Sequence, residues 1–257
     1  MWSSNWAKPL LEHFETAFSG TDFWKVTANT LRISCLRWLF GLPAPILLAL
    51  LLNEMRHRGY KKLVQTLVYL PHFLSWVVLA GMIRTIMAGD GMINTGLHGL
   101  GLSGIPFLTD EKWFIFTLIF TDIWKGMGYG MVVYLATISG IDNEMYEAAL
   151  IDGATKWQQT KYITIPCLRP IISIMFIMAI GSIFRSDFGL FYQATRNSGP
   201  LTDITQTIDV YVYKALIDKP NINLSAPASL LQSVCGCITI VMANIVVKKI
   251  DPEAGLF

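Results

Sequence analysis

The chain has 257 residues, of which 53 % are hydrophobic and only 15 % charged, and its formal net charge is +2. Soluble domains carry about 25 % charged residues, and the mean hydropathy of +0.47 lies far to the apolar side. These values exclude a soluble globular enzyme, a disordered tail and a disulfide-rich secreted module, and they argue against a nucleic-acid partner.

In chain order, the N-terminus lacks the basic, apolar and small-residue regions of a signal peptide. Leu10, Leu11, Phe14 and Phe18 form an apolar stripe that reads as an interfacial helix. Five apolar segments follow, over residues 31–52, 63–88, 113–140, 170–192 and 226–247. Each reaches or approaches the roughly 20 residues needed to cross a hydrocarbon core about 30 Å thick. None alternates as a barrel strand does, so all five read as helices. The fold class is therefore all-α, a polytopic transmembrane helical bundle. Pro43, Pro45 and Pro71 interrupt the first two spans and predict kinks. Gly126, Gly128 and Gly130 in the third favour close helix packing over a hinge.

Short loops set orientation. Arg56, Arg58, Lys61 and Lys62 place the loop after the first span in the cytoplasm. The loop over 89–112 holds one lysine and three acids and belongs outside. Lys156, Lys161 and Arg169 return the chain inside, and Lys248 and Lys249 end it there. Between the last two spans, Ile204, Ile208, Tyr211, Val212, Ala215 and Leu216 recur at helical spacing. They form either a docking face for an external partner or a helix lying in the lipid interface. Cys35, Cys167, Cys235 and Cys237 read as packing residues. His57, His72 and His98 show no metal-ligand spacing, so no metal site and no catalytic set is expected.

The loop over 142–166 is the most informative stretch. Asp142 is a good N-cap, and Glu144 to Ile151 favour helix. Gly153 is placed to stop that helix, because glycine adopts the left-handed conformation cheaply. Residues 154–165 can form a second helix, with Pro166 ending the element before the fourth span. Ala148 and Ala149 would let a partner surface approach closely, and Glu147 offers it a carboxylate.

Glu147-Ala148-Ala149, then Gly153, then Ile163-x-Ile165-Pro166 at this spacing resembles the EAA loop of binding-protein-dependent ABC importer permeases. The usual form ends in Leu-Pro, and Ile165 is a mild departure. Asn29-Thr30, the run Leu70-Pro71-His72-Phe73-Leu74-Ser75-Trp76, Asp122-Ile123-Trp124-Lys125-Gly126 and Ile208-Asp209-x-Tyr211-Val212-Tyr213 resemble the branch that imports complex-polysaccharide oligosaccharides. The resemblance implies a type I transmembrane domain over 25–250, an external segment over 1–24 and a cytoplasmic tail over 251–257. It implies a bacterial-type cell membrane, a second permease subunit as heterodimer partner, a cytoplasmic ABC ATPase dimer, an external or periplasmic solute-binding protein and a carbohydrate substrate. Glu147, Ala148, Ala149, Gly153, Ile163 and Pro166 would form the ATPase contact. No cofactor belongs to this chain, since ATP and magnesium would sit in the ATPase. The lack of a Gly-x-x-x-x-Gly-Lys-Ser/Thr loop agrees with that division.

Charged residues within spans are functional candidates. Asp122 and Lys125, three apart, can pair on one helix face. With Trp124, Tyr129, Arg185 and Asp187 they are candidates for the sugar path, the alternative being charge pairing and packing within the bundle. The competing class is a self-sufficient secondary transporter of a small polar solute, which would need an inverted repeat and an ion site. A membrane-bound enzyme would need a convergent catalytic set. Permeases of the branch carry six spans with both termini inside. Five spans with an external N-terminus point to a first span upstream of Trp2. A start codon assigned too late explains this better than a true five-span variant.

Overall fold

Lipid offers the backbone no hydrogen-bond partners, so a long apolar stretch must satisfy its own amides. The computed structural model does this with helices throughout; it describes residues 12–195, 201–217, 222–252 and 255–256, and no strand occurs among them. In order the helices are α1 (Glu12–Ser19), α2 (Thr21–Gly41), α3 (Pro43–Glu54), α4 (Arg58–Phe73), α5 (Trp76–Ile86), α6 (Met92–Gly99) and α7 (Glu111–Ser139). Then come α8 (Asn143–Ile151), α9 (Lys156–Gln159), α10 (Ile165–Gly181), α11 (Phe188–Thr195), α12 (Thr202–Thr205), α13 (Ile208–Ile217) and α14 (Ile222–Ile250). A π-helical segment, Thr160–Thr164, joins α9 to α10.

Three stretches among the described residues are long and apolar enough to cross a membrane: Thr21–Glu54, Lys156–Gly181 and Ser225–Ile250. A fourth counts if the bent pair α4 and α5 is one span. Only 17 % of the apolar window is buried in each of the first two, so most of their side chains lie open on the surface of the chain. The expected third span is the 29-residue α7. It carries Asp122 and Lys125 among its apolar residues and falls outside that set. The count remains compatible with about five spans.

Boundaries differ from the sequence reading in three places. The first span starts ten residues earlier and restarts at Pro43, which takes the first helical position, where its missing N–H costs nothing. The fourth span ends at Gly181, not at 192; a non-helical stretch intervenes and Tyr192 belongs to α11. Pro166 does not end the element before that span. The chain runs helically through it, with the π segment widening the turn just before. That widening fits the chemistry, because a proline ring in a regular turn crowds the carbonyl four residues back and supplies no N–H. The stripe expected over 204–216 is divided between α12 and α13; of its residues Ile208 is buried, Leu216 is exposed and the others are half-buried. Leu10 and Leu11 of the N-terminal stripe lie outside the described residues, while Phe14 and Phe18 sit 5.9 Å apart, centroid to centroid.

The chain forms two compact units. The first comprises Met1–Cys35, Trp76–Leu118 and Ser182–Ile238. Its core joins Ile33 of α2, Ala80 of α5, Phe114 and Leu118 of α7, Leu190, Phe191 and Ala194 of α11, and Val210 of α13. The second comprises Leu36–Ser75, Ile119–Gly181 and Thr239–Phe257. One of its cores packs Ala49 and Leu52 of α3 against Met131, Tyr134 and Ile138 of α7 and Leu168 of α10. Another packs Ile177 of α10 against Ala243 and Val247 of α14.

Candidate functional site

The loop over 142–166 lies wholly in the second unit. Asp142 caps α8 as its sequence predicts: the carboxylate accepts the Glu144 N–H at 2.9 Å. The helix ends as predicted too. Gly153 has φ +76°. Ala154 N–H reaches the Ala149 carbonyl at 2.8 Å and Gly153 N–H reaches the Leu150 carbonyl at 3.1 Å. These paired bonds are a Schellman motif, and they use up carbonyls the helix end would leave unmet. Two residues on, Thr155 and Gln158 form a reciprocal capping box that starts α9. The turn between the helices is thus fixed from both sides by short-range hydrogen bonds.

None of the residues of α8 is buried. Glu147 and Ala148 are exposed, as are Met145, Leu150 and Trp157. Ile151 is 86 % exposed. A nine-residue helix with that much apolar surface in the open gets little of its order from packing. Besides its caps, it is tied down by the Tyr146 hydroxyl, 2.9 Å from Thr164 Oγ1 in the π segment. Ile163 and Pro166 are half-buried. A polar cavity of about 630 Å³ opens beside α8, lined by residues that include Asn53, Glu54, Arg56, Tyr146, Lys156 and Gln159.

The charged path candidates fall in both units, and each set stands by itself. In the second unit Asp122 accepts from Arg37 Nε at 2.6 Å, a half-buried ion pair that ties α7 to α2. Lys125 donates to the carbonyls of Pro71, His72 and Leu74 at 3.4, 2.7 and 2.9 Å. Both charges therefore have partners on helices distant in sequence, beyond the neighbour three residues away that spacing suggested. Trp124 is half-buried. Tyr129 is 61 % exposed and stacks on His72 with centroids 4.6 Å apart and planes 7° from parallel. Two of the three glycines sit at close contacts: a Cβ on Gly128 would overlap the Val68 carbonyl, and one on Gly130 would meet Pro45 Cγ at 3.1 Å. Gly126 has open space.

In the first unit Asp187 N-caps α11, its Oδ1 accepting the Leu190 N–H at 3.2 Å, while Oδ2 accepts Trp76 Nε1 at 2.8 Å. Arg185 has an exposed side chain. Its backbone is held, the N–H by the Ser182 carbonyl and the C=O by Ser34 Oγ. Asp209 accepts from Ser186 N–H, Ser186 Oγ and Gln232 Nε2 at 2.7, 2.8 and 3.1 Å. Sequence reasoning missed Arg37, Trp76 and His72 as partners. The one available signal was Arg37 itself, the last charge before a long uncharged run.

Residues 41–252 match the model of the family described as binding-protein-dependent transport system inner membrane component. The chain belongs to this family. Among its relatives, the protein LplB of Bacillus subtilis (strain 168) is 37 % identical over 257 residues, covering 100 % of this chain and 79 % of the relative. The polygalacturonan/rhamnogalacturonan transport system permease protein YteP of the same strain is 34 % identical, covering 95 % and 75 %. Among solved structures, a bacterial ABC transporter involved in the import of the acidic polysaccharide alginate is 35 % identical. It matches with TM-score 0.89 over 96 % of this chain and 86 % of that chain. A second structure, of the bacterial alginate ABC transporter in complex with an alginate pentasaccharide-bound periplasmic protein, matches with TM-score 0.87 and 36 % identity over 93 % and 83 %. This inner-membrane component is accordingly a permease subunit of a binding-protein-dependent importer, and the α8 loop lies inside the matched region.

Proposed function

We propose that this permease imports oligosaccharides or related carbohydrates and is driven through α8 by a cytoplasmic ATPase. The observation that carries the coupling reading is α8 itself: capped at both ends, with no residue buried and Met145, Leu150 and Ile151 open to a partner. Burying a side chain such as Leu150 or Ile151 contributes about 1.5–3 kcal/mol, enough for a short rigid helix to dock firmly. Glu147, Ala148, Ala149 and Gly153 make or shape that contact, with Ile163 and Pro166 supporting the following helix. The basic residues Arg56, Arg58, Lys61, Lys62, Lys156 and Lys161 support a cytoplasmic position for this side. ATP and magnesium are bound by the ATPase. A second permease subunit and an external binding protein complete the importer.

The carbohydrate reading rests on what the relatives are named for: lactose, polygalacturonan and rhamnogalacturonan, and alginate. Of the path candidates, Tyr129 and Arg185 present exposed side chains suited to a sugar face and a polar substituent. Trp124, Asp122, Lys125 and Asp187 are more enclosed.

The test is Gly153→Val in the complete importer. A β-branched residue at φ +76° is strained, so the turn after α8 should be lost. Uptake of labelled oligosaccharide and co-purification of the ATPase should disappear, while membrane insertion and binding-protein association persist. Full uptake by this variant would overturn the coupling reading. Uptake by the wild type without ATP would favour a self-sufficient transporter.

A further inference from the structure

Helix α4 stops at Phe73, short of the residues that would bond its last carbonyls. A helix end leaves up to four C=O groups without a donor. In apolar surroundings each costs free energy until a donor reaches it. The Leu74 N–H reaches the Pro71 carbonyl at 3.2 Å. The Lys125 ammonium reaches the His72 carbonyl, shares that of Pro71, and takes the Leu74 carbonyl just past the helix end. Lysine carries three N–H donors, and a cation is favoured at the negative end of a helix dipole. The contact continues along α7. Gly128 lets its backbone approach the Val68 carbonyl, and Tyr129 stacks on His72. Helix α7 thus grips the last turns of α4 at three positions, and the same helix leads through residues 140–142 into α8.

We infer that Lys125 is a positioning residue for transport: it donates to three carbonyls at the break after α4 and binds that helix end to α7, so that motion of α8 carries it along. It does not touch the transported solute. The inference rests on the coupling role proposed for α8. The Arg37–Asp122 pair, one turn earlier on α7, is a separate tie to α2.

The experiment uses the full importer in liposomes, with lactose, trigalacturonate and an alginate trisaccharide as uptake probes delivered by the binding protein. Wild-type uptake that needs no ATP would overturn the coupling reading itself, a failure visible before any variant is compared. Loss of a tie that transmits the motion without touching the solute lowers Vmax and leaves KM alone. For Lys125→Met the expected drop in Vmax is about tenfold, with KM within about twofold. Lys125→Arg keeps the cation and several donors and should recover most of Vmax. A raised KM with Vmax intact, or wild-type kinetics in Lys125→Met, would overturn the inference. Where Lys125→Met fails to assemble, Lys125→Arg and Lys125→Gln decide. Near-normal Vmax for Arg and lowered Vmax for Gln, both at wild-type KM, support the inference. A rise of KM in either overturns it.

Discussion

Single residues in this permease do their work by removing obstacles as often as by making bonds. Gly128 is the clearest case. Its missing Cβ is what allows α7 to lie against the Val68 carbonyl of α4. Gly126, two residues earlier, faces open space. Gly128→Val should therefore lower the thermal midpoint of the purified protein by several degrees, since overpacking against backbone costs about 1–3 kcal/mol. Gly126→Val should leave it within about a degree, the ordinary range for a site without packing constraints. Thermal unfolding followed by intrinsic fluorescence separates the two. The sequence shows both glycines equally well, because residue type and spacing carry no record of which neighbour lies opposite. The same gap hid Arg37 from Asp122: 85 positions separate them, and helix periodicity reports only partners three or four residues away.

Individual elements were more legible than contacts between them. The loop over 142–166 could be read almost residue by residue, because caps and the left-handed glycine are local chemistry: Asp142 starts the helix between them and Gly153 turns the chain out of it. What local chemistry could not show is the continuation through Pro166. Proline signals a helix end unless the turn before it widens, and the Thr160–Thr164 π segment does that. This makes a further prediction. Each residue turns an α-helix by about 100°, so inserting one alanine after Cys167, in the regular winding of α10 beyond the π segment, should rotate α9, with α8 behind it, by about that angle relative to the rest of α10. The span stays apolar and the caps are untouched, so the chain should still insert, but uptake should be lost. Retained uptake would mean that the rotational setting of α8 is unimportant. The fourth span's early end at Gly181 was hidden for a related reason. Apolar composition runs on through Phe184 and Phe188 to Tyr192, and hydropathy alone cannot tell a continuing helix from a break followed by a short one.

For the whole molecule, a membrane protein with much of its apolar surface open is unfinished without its surroundings. Lipid accounts for the long spans, but not for α8, whose exposed Leu150 and Ile151 sit on a loop flanked by basic residues. Amide hydrogen exchange should show the difference. Amides of α8 should exchange readily in the isolated permease and become protected when the ATPase is added, while α10 and α14 remain unchanged. Unaltered exchange in α8 would argue that another surface receives the ATPase. Class and family could be read from composition and one loop, since both follow from local patterns. The division into two units could not. The boundaries after Cys35, Leu118 and Ile238 fall inside the continuous helices α2, α7 and α14. The other two, after Ser75 and Gly181, fall at helix breaks, and each body draws on three separate stretches of chain. Recombination between related permeases therefore cannot exchange one body by swapping a contiguous piece. A chimaera that keeps either core intact must replace three segments together, with three of its five joints placed in the middle of helices.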